Sequence, residues 1–263
     1  MKLCELFGNT FKALWPVAKA KVAEMARQQL ILHPDGPLVE RHLSYNSAFC
    51  RAAVACGYLS QEQMQRAAMR YRLGMSRDGG VIFWQIDQLG LIHDGKVMYY
   101  REDCHRDHGR HPTWVSRVLT QFYLGEADDG LLAYNQHCLF GLHLLRGAPE
   151  DQAVAVVEAE KTAVILSGHY PQYLWMAVGG LTELSAEKLF PLRNRRVVLF
   201  PDTDATGQSY ALWHRIAGEA KIRYNARIFV SSVLELNASS EQKKQKIDLV
   251  DFLFPAQNRG ISP

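Results

Sequence analysis

Two apolar runs in the second half of the chain end abruptly in acidic residues, and this pairing limits the possible folds more than any other feature. The first, VAVVEAEKTAVIL (154–166), places Glu158 after four apolar residues. The second, VVLFPDTDATG (197–207), leads into Asp202 and Asp204. Such runs are typical of strands buried on both faces of a parallel sheet. We therefore expect an α/β fold with these carboxylates at its carboxyl edge, where open sheets place their ligands.

Composition excludes several classes of protein. The 263 residues are 48% hydrophobic and 22% charged, which is enough for a normal core, and the net charge of +3 is too small to indicate nucleic-acid binding by itself. Five cysteines, an odd number, do not indicate a disulfide framework. Because no long apolar run and no signal-peptide pattern occur, we expect a cytoplasmic protein with no membrane partner.

The predicted elements divide the chain into a helical segment over 1–73, a mixed α+β part over 74–150 and an α/β part over 151–263. The helical segment has a helix at 10–30, a turn at 33–37 (HPDGP) and two helices within 43–73. The second of these begins after Ser60, with Gln63 in the position of a capping box.

The middle part is predicted to contain short strands, a hairpin turn at Asp94-Gly95, an irregular polar stretch (102–136) and a short helix (138–145). Its strands are 81–87, 90–94 and 96–101. In the last part, strands alternate with helices, which predicts a mostly parallel sheet with helices on both faces. Its strands are 153–158, 175–178, 196–201 and 226–231, its helices 160–168, 185–190, 205–221 and 248–254, and its polar loop 239–246.

The acidic residues allow two interpretations. In an extended segment Asp202 and Asp204 point the same way, so together with Glu158 they could bind Mg²⁺. Alternatively, Asp204 caps a helix that starts at Ala205. Asp248 and Asp251, in KIDLVDFL (246–253), are either charges at a helix N-terminus or further metal ligands.

Gly179 and Gly180 follow the apolar segment WMAV (175–178). Glycine has no Cβ atom, so a phosphate group or an acidic cluster can approach its backbone closely. The alternative is an ordinary turn between a strand and a helix. The pair is therefore a candidate phosphate-binding element.

Together, VVEAEKTAVIL, AVGGLTELS, RRVVLFPDTDATGQ and IDLVDFL resemble the toprim domain, which topoisomerases, DnaG-type primases and related nucleases share. Upstream, YRLGMSRDGGVIFWQIDQLGLIHDGKVMYYR and CLFGLHLL resemble the rest of a DnaG-type catalytic core, so the resemblance covers about 70–255. It is strongest to primase-like proteins of phages, plasmids and mobile elements. The fold it implies is a Rossmann-like toprim domain, preceded by a small α+β primase-like subdomain and a helical N-terminal segment.

The resemblance also implies roles for the acids. Glu158 would act as a general base or metal ligand, Asp202 and Asp204 as ligands of Mg²⁺ or Mn²⁺, and Asp248 and Asp251 as the later acidic positions. Where the family has an aspartate, this chain has Thr162, which puts a second metal ion in doubt, and Pro201 precedes the aspartates. Lys161 could contact a phosphate or form a salt bridge to a nearby acid.

Nucleic-acid contacts are predicted from cations interleaved with aromatic residues, because cations contact phosphates and aromatic rings stack on bases. The candidates are Arg72, Arg77, Lys96, Arg101, Arg110 and Trp114. The segment CHRDHGRH (104–111) contains Cys104, His105, His108 and His111, but without a second cysteine pair it does not predict zinc.

The expected function is that of a DNA primase-like nucleotidyltransferase, which uses single-stranded DNA and nucleoside triphosphates. Expected partners are a helicase or a zinc-binding module on another chain. Two alternatives stay open: a toprim-type nuclease, and a catalytically weak DNA-binding accessory protein of a mobile element.

Overall fold

The computed structural model describes residues 33–124 and 137–255, so the helix predicted at 10–30 lies outside them. Three helices begin the described chain: α1 (Gly36–His42), α2 (Ala48–Ala55) and α3 (Gln61–Tyr71). The predicted capping box of α3 is confirmed, with Ser60 and Gln63 each bonding the other's backbone. The turn predicted at 33–37 is partly wrong. Asp35 accepts a hydrogen bond from the Leu38 N–H, and α1 already begins at Gly36.

An antiparallel sheet follows, and its strands lie in chain order. They are β1 (Gly74–Met75), β2 (Val81–Ile86), β3 (Ile92–Met98) and β4 (Thr113–Trp114). Helix α4 (Val115–Leu124) comes directly after β4. The polar stretch predicted to be irregular over 102–136 therefore contains a strand and a helix within its described part, because the apolar residues of α4 pack against β3.

The hairpin predicted at Asp94-Gly95 is wrong, since both residues lie inside β3, opposite Gln85 and Trp84. The chain instead turns after β2, where the Asp87 carboxylate accepts bonds from the backbone N–H groups of Leu89 and Leu91. The glycine at 95 serves a different purpose: a Cβ atom there would lie 2.6 Å from the Trp84 ring. Close packing of the indole, and not a turn, requires Gly95.

The second sheet is parallel and has the strand order β6-β5-β7-β8, which confirms the predicted α/β class. Its strands are β5 (Val154–Val157), β6 (Leu174–Ala177), β7 (Arg196–Phe200) and β8 (Arg227–Val230). The α-helices among and after them are α5 (Glu160–His169), α6 (Ala186–Leu189), α7 (Gln208–Tyr224), α8 (Val233–Asn237), α9 (Ser240–Gln245) and α10 (Leu249–Leu253). Short 3₁₀ helices occupy Leu142–Gly147, Leu181–Glu183 and Phe190–Leu192.

Both faces of the parallel sheet are covered. Ala155 and Val157 of β5 pack in one hydrophobic cluster, and the alternate residues Val154 and Val156 pack in a second. The first cluster also contains Phe83 of β2 and residues of α2, α3 and α5. Side chains from all three predicted segments of the chain thus share one core.

The polar loop predicted at 239–246 is wrong, because this segment forms α9. Ser239 and Gln242 make a second capping box there, and Lys246 ends the helix in the left-handed conformation. The Ser-x-x-Gln spacing was a helix-start signal. Within the described residues, no helix is long and apolar enough to cross a membrane.

Candidate functional site

The carboxyl ends of two neighbouring strands carry the main acidic residues. Strands β5 and β7 pair in parallel, with Val157 opposite Phe200, so both strands end at the same edge of the sheet. Glu158 directly follows β5, and Asp202 follows β7 after Pro201. Both side chains are partly buried. The sheet therefore brings together two acids that lie 44 residues apart in the sequence (202 − 158).

Electrostatic effects couple these two acids to two more at the start of α10, Asp248 and Asp251. We call the four residues the acid cluster: Glu158, Asp202, Asp248 and Asp251. Burial and the charges of Asp248 and Glu158 raise the pKa of Asp202 well above its ordinary value. Burial, with Asp248 and Glu160, also raises the pKa of Glu158, although Lys96 acts in the opposite direction. The cluster concentrates negative charge that the protein only partly neutralises.

Asp248 is the acid that the protein neutralises best. Its Oδ2 accepts a hydrogen bond from Thr162 Oγ1 (2.7 Å) and lies 3.5 Å from Lys161 Nζ, while its Oδ1 accepts a bond from the Asp251 N–H (2.8 Å). Although burial raises the pKa of Asp248, Lys161, the Asp251 N–H and Thr162 lower it below the ordinary value. Of the two roles considered for Lys161, the structure contains the salt bridge. Asp248 also caps α10, and burial with the charge of Asp248 raises the pKa of Asp251.

Asp204 faces a different set of partners. Its Oδ1 accepts bonds from the N–H and hydroxyl of Thr206 (2.7 and 2.6 Å) and from the Gln208 N–H (3.2 Å). Its Oδ2 accepts a bond from the Ser209 N–H (2.6 Å). Burial opposes these bonds, but they lower the pKa of Asp204 strongly. Asp204 therefore holds the start of α7, which begins at Gln208 and not at Ala205.

Glu160, which was not among the predicted site residues, is the most deeply buried acid beside the cluster, with 2% of its side chain exposed. Lys96 Nζ lies 3.2 and 3.4 Å from its two carboxylate oxygens and donates to the Gly179 carbonyl (2.5 Å). A Cβ atom on Gly179, where φ is +92°, would lie 3.1 Å from Glu160 Oε1. The close approach predicted at Gly179 is thus made by an acidic side chain. At Gly180 a Cβ atom would make only ordinary contact with Glu183.

A pocket of about 260 Å³, which we call the sheet pocket, lies between the antiparallel sheet and the loop after β6. Gln85, Lys96, Met98 and Trp114 line one side of it. Gly179 and Glu183 line the other, and Arg106 contributes from the segment between β3 and β4. Gln85 is 2% exposed, and its Oε1 has no hydrogen-bond partner among the described residues.

The predicted nucleic-acid contacts separate into two groups. Lys96 and Trp114 are opposite residues of β3 and β4, and both line the sheet pocket. The arginines lie elsewhere, at more exposed positions. Arg72 pairs with Glu40, Arg101 with Asp103, and Arg110 with Asp78 while its guanidinium lies 3.5 Å from the Tyr99 ring centre; Arg77 is exposed.

The chemistry of the acid cluster suits a hard cation, because carboxylate oxygens are the ligands that Mg²⁺ and Mn²⁺ prefer. Burial and the repulsion between neighbouring acids raise the pKa values of Glu158 and Asp202, and such a cation would stabilise their charged forms. Within 33–124 and 137–255, however, no three His, Cys, Asp or Glu side chains are arranged to hold a metal ion. In the segment considered for zinc, Cys104 is buried, whereas His105, His108 and His111 are exposed.

Comparison with solved structures finds similarity to primase cores at low sequence identity. A DnaG primase catalytic domain bound to ssDNA is 14% identical, with a TM-score of 0.49 over 92% of this chain and 85% of that chain. A DnaG catalytic core is also 14% identical, with a TM-score of 0.49 over 87% and 82%. The primase fragment of the bacteriophage T7 primase-helicase protein is 17% identical, with a TM-score of 0.41 over 78% and 74%.

Comparison with curated proteins gave no match. One family model, described as a domain of unknown function (DUF6371), matches residues 52–203. These residues run from α2 through the antiparallel sheet to β7 and include Glu158, Asp202 and the whole lining of the sheet pocket. Because the match spans more than half of the chain, this protein belongs to the DUF6371 family.

Proposed function

We propose that this chain is a primase-like nucleotidyltransferase with a toprim-type acid cluster, which joins nucleoside triphosphates on a single-stranded DNA template. The observation that carries the proposal is the cluster itself. Glu158 and Asp202 end adjacent parallel strands, and burial with mutual repulsion raises the pKa of both. Structural acids are normally neutralised by the protein, as Asp248 and Asp204 are here, so charge that is only partly compensated at a sheet edge favours a functional site.

Glu158 and Asp202 would hold a divalent cation, with Asp251 next to them. When bound, Mg²⁺ or Mn²⁺ would supply positive charge that stabilises the transferring phosphoryl group. Lys161 would stay paired with Asp248 and so keep that carboxylate charged and in place. Thr162, which bonds the same carboxylate, supplies no charge of its own, and one metal ion therefore suits this cluster better than two.

The remaining residues would bind and orient the substrates. Lys96 holds Glu160 and the Gly179 carbonyl together, which fixes the loop after β6 beside the cluster. Exposed arginines such as Arg77 and Arg106 would contact template phosphates. A helicase would then deliver the template, or a zinc-binding module on another chain would select it.

The direct test is primer synthesis by the purified chain on single-stranded DNA, with labelled nucleoside triphosphates and Mg²⁺ or Mn²⁺. We expect short labelled products that require both template and cation. DNA cleavage without synthesis would replace the proposal with the nuclease alternative. Retention of DNA in a mobility-shift assay, with neither synthesis nor cleavage, would leave the accessory-protein alternative.

A further inference from the structure

The sheet pocket contains a buried polar group without a partner. Gln85 lies on β2, and its amide oxygen makes no hydrogen bond within the described chain although the residue is 2% exposed. Leaving a buried acceptor unpaired costs about 1–3 kcal/mol. Since Gln85 lines the pocket, a ligand in the pocket is the partner that would satisfy this amide.

Strand register explains why this side of the pocket combines polar and flat apolar groups. In the antiparallel pairing, Phe83 lies opposite Lys96, and Lys96 lies opposite Trp114, so these side chains share one face of the sheet. Gln85, two residues beyond Phe83, lies on the same face. His137 stacks on the Trp114 ring, with 3.8 Å between ring centroids, and this contact holds the indole in place.

We propose that the sheet pocket holds a single unpaired nucleobase, whose edge pairs with the Gln85 amide. A glutamine amide offers a donor and an acceptor side by side and pairs with the N6 and N7 atoms of adenine in this way. Trp114 and Met98 give the pocket the aromatic and apolar surface that a planar base requires. Its volume of about 260 Å³ is slightly below the range of about 300–1,000 Å³ for drug-sized ligands, as suits one base.

Two neighbours connect the pocket with phosphate chemistry. Arg106 lines the pocket and is exposed, so its guanidinium can reach a phosphate outside it. Lys96 and Gly179 line the pocket and also contact Glu160, which lies two residues beyond Glu158. A base in the pocket would thus place its phosphate near the acid cluster. Because this placement uses the cluster, the inference rests on the proposed function and deepens it.

The base could belong to an incoming nucleotide or to the template strand, and two pairs of probes separate these sources. The first pair is ATP and inorganic tripolyphosphate, and the second is a short oligo-dA strand and an abasic strand of equal length. Binding is measured by calorimetry in Ca²⁺. We expect the base-bearing member of one pair to bind about tenfold more tightly than its base-free partner. A preference in the first pair identifies an incoming nucleotide, and a preference in the second identifies the template.

Gln85→Leu, which keeps the side-chain volume and removes the amide, should abolish that preference. Gln88→Leu is the matched control, because Gln88 lies in the adjacent turn, also has an amide oxygen without a partner in the described chain, and does not line the pocket. Gln85→Met replaces Gln85→Leu if circular dichroism shows the latter to be unfolded. Equal binding within both pairs of probes, or a preference that survives loss of the Gln85 amide, overturns the inference.

These binding measurements do not depend on catalysis. A base preference that requires Gln85, in a protein that synthesises no primer, would remove the proposed function and keep the base pocket. Primer synthesis by a protein that binds base-bearing and base-free probes equally would keep the function and remove the pocket.

Discussion

Lys96 Nζ lies 3.2 Å from Oε1 of Glu160, and only 12% and 2% of these side chains are exposed. Lys96 belongs to β3 of the antiparallel sheet, whereas Glu160 begins α5, the helix that follows the first strand of the parallel sheet. The same ammonium group donates to the Gly179 carbonyl, beyond β6. The partly buried ammonium group of Lys96 therefore connects the two sheets beside the acid cluster.

Removal of one partner of this pair should be strongly destabilising. Lys96→Met leaves Glu160 buried without its cation, and we expect a loss of about 3–5 kcal/mol in the free energy of unfolding. The double variant Lys96→Met/Glu160→Gln should lose less than the sum of the single changes, because no uncompensated charge remains. Urea unfolding measures both effects.

Arg66→Met is the control for that experiment. It breaks an exposed ion pair with Glu62 on the surface of α3, whose side chains are 62% and 77% exposed. We expect a change below about 0.5 kcal/mol. Equal losses for Lys96→Met and Arg66→Met would show that burial does not strengthen the Lys96–Glu160 pair.

Asp202 and Asp204 should respond differently to the same substitution. Asp202→Asn should abolish primer synthesis and leave the protein as stable or more stable at neutral pH, because it removes a charge that Asp248 and Glu158 repel. Glu158→Gln should also abolish synthesis. Asp204→Ala removes the bonds to Thr206, Gln208 and Ser209, and we expect a loss of about 1–3 kcal/mol, because these N–H groups lose their charged acceptor.

Thermal unfolding and primer synthesis, measured on the same preparations, check this contrast. Full activity in Asp202→Asn would remove Asp202 from the site. Loss of activity in Asp204→Ala at temperatures where the variant stays folded would extend the role of Asp204 beyond support of α7.

Gly95→Ala tests why β3 contains a glycine. The added Cβ atom would lie 2.6 Å from the buried Trp84 ring, so we expect a loss of about 1–3 kcal/mol from overpacking. Gly218→Ala is the matched control, since no atom lies within 4 Å of its Cβ position in α7. That change should stabilise the protein by about 0.5–1 kcal/mol, because alanine favours helices. A stabilised Gly95→Ala variant in urea unfolding would contradict the packing explanation.

His143 should make the fold less stable in acid. Its Nε2 donates to the Arg70 carbonyl (3.1 Å), and its Nδ1 has no partner in the described part of the chain. Burial, with the charges of Arg72 and Arg70, lowers the pKa of His143, although the bond to Arg70 opposes this. Because the folded-state pKa lies below the unfolded value, the stabilisation is complete above the unfolded pKa and decreases as the pH falls.

Urea midpoints between about pH 7.5 and about pH 5.5 measure this effect, since unperturbed histidine titrates near pH 6.5. His143→Gln retains a donor for the Arg70 carbonyl, and its urea midpoint should fall less than that of the wild type as the pH is lowered. His108→Gln, at an exposed position, should leave the decrease unchanged. Identical pH profiles for wild type and His143→Gln would rule out His143 as a source of acid sensitivity.

The strands of the parallel sheet and one capping box could be predicted from the sequence because they depend on local patterns. The four apolar residues of β5 predict a strand buried on both faces, and Ser60 with Gln63 predicts the start of α3. Glu158 and Asp202 follow two such strands, and parallel strands end at the same edge of a sheet. The sequence therefore also predicts that these two acids lie close together. The turn at Asp94-Gly95 could not be excluded in this way, because the residue that requires Gly95 is Trp84, on the opposite strand.

The sequence by itself determined that two acid-tipped strands would lie in a parallel sheet. Only the tertiary structure decided which acids remain incompletely compensated. Asp204 is satisfied locally, by the start of α7, but Asp248 is satisfied by Lys161 and Thr162, and Glu160 by Lys96 from the other sheet. The physical reason is sequence separation: periodicity and capping act within a few residues, whereas the Lys96–Glu160 contact spans 64 residues and forms only when the two sheets pack together.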